Sequence, residues 1–113
     1  MNDKEHLAIE RIVTYCEKAE TARITHFPTK EKYDEDAFYG DGIALYLGQI
    51  GESVKDLTDE FMLAHPEVPW HQIRGMRNII AHAYDGVDSD VVWDVLTHDL
   101  PRLKESCLQI LAQ

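Results

Sequence analysis

Apolar residues in this chain recur at spacings of three and four from Leu7 to Leu111, and nowhere do they alternate with polar ones. The first pattern covers one side of a helix and the second would cover one face of a strand. A chain of 113 residues written this way has one economical solution, an all-α, up-and-down bundle of four or five helices in a single domain, 1–113. It carries no repeat and no low-complexity tract.

The expected helices follow in order. Asn2 or Asp3 caps a first one through Leu7, Ile9, Ile12, Val13, Cys16 and Ala19, which fades near Thr25 and ends at Phe27-Pro28-Thr29. Lys30 to Tyr33 reads as a connection, and Asp34, Glu35 and Asp36 suit the positive start of a second helix reaching about Leu57. Its apolar positions are Phe38, Ile43, Leu45, Tyr46, Leu47, Ile50 and Val54. It also holds Gly40, Gly42, Gly48 and Gly51, each costing about 1 kcal/mol relative to alanine. Close approach of another helix is the simplest reason to keep them, and their spacing is not that of a phosphate loop. Thr58 to Ala64 forms a further turn before His65-Pro66. Beyond Asp85-Gly86, one of Asp88, Ser89 or Asp90 caps a helix with Val91, Val92, Val95 and Leu96. Pro101 kinks or restarts that helix, with Asp99 as a new cap, and Leu100, Leu103, Cys107, Leu108, Ile110 and Leu111 form the last stripe.

The stretch Pro69 to Tyr84, PWHQIRGMRNIIAHAY, differs from the rest. Read as one helix at about 100° per residue, it places Ile73, Met76, Ile79, Ile80 and Ala83 on one arc. His71, Arg74, Arg77, Asn78, His82 and Tyr84 fall on the opposite arc. Here charge becomes informative. The chain has 21 acids against 11 bases, a formal net charge of −10, yet Val68 to Tyr84 contains no acid. The overall balance disfavours broad, non-specific nucleic-acid binding. An anionic substrate has to be met locally, and Arg74 and Arg77 are the place for it, with His71 beside them.

Other chemistries find less support. Cys16 and Cys107 have no metal or redox spacing and read as buried thiols in a reducing cytoplasm. His6, His26, His65, His71, His82 and His98 share no ligand spacing, so no metal site is expected. There is no nucleophile elbow, no N-terminal apolar signal region and no run long enough to span a membrane. What remains is Arg77, Asn78, His82 and Tyr84. His82 can exchange protons near neutral pH, and Arg77 can hold a phosphate and stabilise charge building on it. Asn78 lies one turn before His82 and can orient its ring or a substrate oxygen. Taken singly, each residue also has a structural reading: Arg77 in an ion pair with Glu52 or an acid of another helix, His82 bonded at a helix end, Tyr84 half-buried.

Arg77-Asn78-Ile79-Ile80-Ala81-His82-Ala83-Tyr84 resembles the Arg, four residues, His, one residue, Tyr motif of the HepT-like toxins in the HEPN superfamily. Trp70 upstream, Ile50-Gly51-Glu52 in the second helix, and Asp85-Gly86-Val87-Asp88 with Val92-Trp93 downstream are similar to that family too. The resemblance implies a homodimeric helical bundle with no cofactor, in which the Arg and His of both protomers share one cleft and cut RNA without a metal. Arg77, His82 and Asn78 would be the catalytic set, with Arg74 and His71 binding substrate. Transfer RNA is the substrate the family suggests, and messenger RNA stays open. The chain would be the toxin of a type VII system, neutralised when an MntA-type nucleotidyltransferase antitoxin transfers AMP to Tyr84. The alternative is a non-catalytic HEPN module that binds a nucleotide or a nucleotidyltransferase.

Overall fold

A computed structural model describes residues 1–35, 37–78 and 89–113. All regular structure among them is helical, as expected. We number the helices α1 (Asp3–His26), α2 (Lys30–Glu35), α3 (Ala37–Ser53), α4 (Asp59–Ala64), α5 (Trp70–Arg74), α6 (Ser89–Asp94) and α7 (Leu100–Ala112). A 3-10 turn, Val54–Asp56, follows α3, and a π-helical turn, Val95–Asp99, joins α6 to α7.

The longest helix, α1, packs chiefly against α3 and α7. It begins with a reciprocal cap: the Asn2 side chain accepts from the Glu5 N–H, and the Glu5 carboxylate accepts from the Asn2 N–H. The other Glu5 oxygen accepts from both the N–H and the hydroxyl of Thr58, which caps α4 in turn. One buried carboxylate therefore fixes two helix starts. The core joins Ile9, Ile12, Val13 and Cys16 of α1 to Ile43, Leu47 and Ile50 of α3 and to Leu103, Cys107 and Ile110 of α7. Both cysteines are free and buried. Leu7, Leu45 and Leu108, placed by spacing on apolar stripes, are instead exposed.

Three boundaries differ from expectation. Lys30 to Tyr33 is not a connection but most of α2. The Lys32 N–H donates to the Thr29 hydroxyl, and Lys30 bonds Asp34 one turn on. Asp34 and Glu35 thus end a helix instead of opening one. Lys30 also reaches Asp90 of α6 at 2.7 Å, while the Tyr33 ring bridges Phe27 and Trp93. Asp99 is no cap: its torsions are helical and its side chain makes no cap bond. The chain takes one wide turn there, with the Leu100 N–H bonding to the Val95 carbonyl. That turn ends just before Pro101, which lacks an N–H to continue the ordinary ladder. Third, Pro69 precedes α5 instead of opening it, and the helix tightens at Gly75, whose carbonyl accepts from the Asn78 N–H at 2.9 Å. Residues 76–78 are helical again.

Candidate anion-binding site

α5 and residues 76–78 carry the polar face picked out from the sequence. Ile73 and Met76 are buried, whereas His71, Arg74, Arg77 and Asn78 are exposed. The face stands where it does because α3 comes unusually close behind it. A Cβ on Gly51 would lie 2.9 Å from the Arg77 backbone nitrogen and 3.1 Å from the carbonyl oxygens of Ile73 and Arg74. Only glycine permits that contact. The close approach expected of the α3 glycines is therefore real at Gly51. At Gly42 a Cβ would meet nothing within 4 Å, so packing does not explain that residue.

The approach brings the end of α3 and the following 3-10 turn beside α5. Glu52 Oε1 lies 2.9 Å from Arg77 Nε, and the same carboxylate receives Lys55 Nζ at 3.1 Å through Oε2 and 3.3 Å through Oε1. Two cations thus converge on one carboxylate. Lys55, His71, Arg74, Gly75, Arg77 and Asn78 line a shallow hollow of about 370 Å³. Among the described residues no acid lines it. A larger hollow of about 540 Å³ behind the same helix is floored by Ile73, Met76, Val95 and Leu103 and rimmed by Arg102, Glu67 and Asp99. With one cation against two acids it does not select an anion. The smaller hollow instead gathers one lysine and two arginines, with Glu52 held against two of them.

Four of the residues singled out from the sequence, His71, Arg74, Arg77 and Asn78, therefore meet in one place. His82 and Tyr84 lie outside the described residues. Lys55 was missed. Its signal was tertiary: only once Gly51 is seen to admit α5 does a lysine four positions later come level with Arg77. Among the described residues no group of three His, Cys, Asp or Glu side chains could hold a metal ion.

The described residues define an all-α helical bundle with a locally cationic hollow in an acidic chain. The model of the HepT-like family, described as "Ribonuclease HepT-like", matches residues 7–110, and the chain belongs to that family. A Methanocaldococcus jannaschii protein named "Gamma-glutamylcyclotransferase and putative RNase" is 35% identical over 89 residues, 75% of this chain and 40% of its own length. A "Putative RNase" of Caldanaerobacter subterraneus is 40% identical over 62 residues, 55% of each chain. A "Probable ribonuclease HepT" of Thermococcus cleftensis is 44% identical over 55 residues, 49% of this chain and 50% of its own. The chain thus spans about half the length of these relatives. No solved structure matches.

Proposed function

We propose that this chain is the toxin of a type VII toxin–antitoxin pair, a metal-independent endoribonuclease that works as a homodimer. The observation that carries the reading is the grouping of Arg77 and Asn78 with Arg74 and His71 around one hollow, in a chain of the HepT-like family. His82, four residues after Asn78, takes the proton from the ribose 2′-hydroxyl as general base. The 2′-oxygen forms a bond to the adjacent phosphorus and the bond from phosphorus to the 5′-oxygen breaks. The leaving oxygen receives a proton from His82 of the second protomer. The products are a 2′,3′-cyclic phosphate and a 5′-hydroxyl, and no water or metal is consumed. Arg77 carries the charge that builds on the non-bridging oxygens, and Asn78 orients the reacting groups. Arg74 and His71 hold the RNA.

The control step has the same logic. An MntA-type nucleotidyltransferase places the Tyr84 oxygen on the α-phosphate of ATP and releases pyrophosphate. The added nucleotide fills the site and repels the RNA backbone.

Cleavage of a labelled RNA in excess chelator tests the reading. The parent is expected to cut and to leave cyclic phosphate ends. Arg77→Ala and His82→Ala are each expected to lose about a hundredfold or more in rate while the helical content holds. Cutting at the parent rate by either variant, or loss of cutting in chelator, overturns it. One observation favours a second reading, a non-catalytic module: Glu52 already holds Arg77, as in an ordinary structural ion pair. That reading expects no cleavage by the parent, but stable complex formation with the nucleotidyltransferase and label transfer to Tyr84.

A further inference from the structure

We propose that Lys55, outside the Arg-to-Tyr motif and on a different element, binds a backbone phosphate of the RNA in the same hollow as Arg77. The inference rests on the ribonuclease reading above and extends it to a second strand of the fold's sequence.

Three observations carry it. Lys55 lines the hollow together with Arg74, Arg77, His71 and Asn78. Lys55 and Arg77 touch the same oxygen, Glu52 Oε1, at 3.3 and 2.9 Å, so their nitrogens are near neighbours aimed at one anionic point. The Glu52 carboxylate occupies the kind of place an oxyanion would take between them. Finally, the charge is not cancelled. Lys55, Arg74 and Arg77 supply three positive charges, and among the described residues the one carboxylate paired with any of them, Glu52, returns a single negative one. A surplus of two positive charges facing a hollow, in a chain of net charge −10, is suited to a polyanion.

The lining also narrows the class of ligand. Among the described residues it contains no apolar side chain and no aromatic ring other than the His71 imidazole. A stacked base would find no platform there, whereas a phosphodiester would find lysine, guanidinium and amide donors. Lys55 is half-exposed on a short 3-10 turn, so its ammonium can move from the carboxylate to a phosphate without disturbing the core.

The test uses the full chain and an all-2′-deoxy copy of the cleaved RNA, which binds but lacks the attacking hydroxyl. Lys55→Ala is expected to weaken binding about fivefold or more at 0.1 M salt. It should make the fall of log K with log salt shallower by about 0.7, the signature of one lost phosphate contact on a single strand. Lys55→Arg, which keeps the charge, should retain affinity and slope, and with cleavable RNA the Lys55→Ala loss should appear in KM. Parent-like affinity and slope in Lys55→Ala overturn the proposal while leaving the ribonuclease reading intact, provided the parent cuts RNA. A parent that neither binds the deoxy strand nor cuts RNA overturns both.

Discussion

Glu5 is the residue on which most local order converges. Its side chain is 4% exposed and it takes hydrogen bonds from Asn2 and from both donors of Thr58. The bond from the Asn2 N–H, followed by those from Thr58, holds its carboxyl below the usual value of 4.5. The sign follows from linkage. The folded protein prefers the ionised form, so the contribution is complete above about 4.5 and is lost as pH falls through the lowered folded value. Glu5→Gln is therefore expected to melt below the parent at pH 7, with the gap closing in acid. Thermal melts of both proteins from pH 7 to pH 3 would check this, and a gap independent of pH would mean the charge is not what matters. The thiols behave in the opposite sense. Burial pushes Cys16 and Cys107 up to about 12. Neither should react with a thiol reagent at pH 8 until the protein is unfolded. Above the ordinary value near 9 the unfolded chain releases protons that the folded one retains, so stability should fall as pH climbs further.

At the scale of elements, Gly51 and Gly42, two of the four glycines of α3, make a contrasting pair. Gly51→Ala would drive a methyl group into the backbone of α5 and residue 77. It is expected to cost about 1–3 kcal/mol in denaturant unfolding and to separate Lys55 from Arg77. Gly42→Ala meets open space and should stabilise by about 0.5–1 kcal/mol, because it removes only the entropic penalty of glycine in a helix. Equal effects at the two positions would refute the close-approach account. The same contrast marks what could be read from the chain alone. Ile73 and Met76 inward with Arg74 and Arg77 outward needed only the helical period and residue type. The first helix, its Asn2 cap and its end at Phe27 needed no more. Leu45 and Leu108 failed because period reports spacing, not whether another element covers that side. The helix α2 was missed because it has no buried residue of its own, and part of its anchoring is the long-range pair of Lys30 with Asp90. Lys55 was missed for a related reason, since its company is set by a contact between distant parts of the chain.

For the whole molecule, the central point is that a chain of net charge −10 gathers Lys55, Arg74 and Arg77 around one small hollow. Binding of a nucleic acid strand should therefore depend on few phosphates, and its salt dependence should be shallow compared with that of a basic nucleic-acid protein. If the proposed pairing of protomers holds, sedimentation should give a mass of twice 13.0 kDa. Among the described residues Met1, Leu7, Ile24, Leu45, Leu63, Val91 and Leu108 are the exposed large apolar side chains available to be covered. Replacing Leu45 with Glu should then favour the single chain if α3 contributes to the contact, and an unchanged mass would place the contact elsewhere. No helix among the described residues is long and apolar enough to cross a membrane.

Trp70 has a practical consequence. It starts α5, its indole N–H is held by the His65 carbonyl at 2.9 Å, and it packs on Phe61. His71 and Arg74 project from the same short helix. A fluorophore thus shares a short helix with two residues of the hollow, and a titration of a Trp93→Phe variant followed by intrinsic fluorescence is expected to report a filled site without any dye being attached.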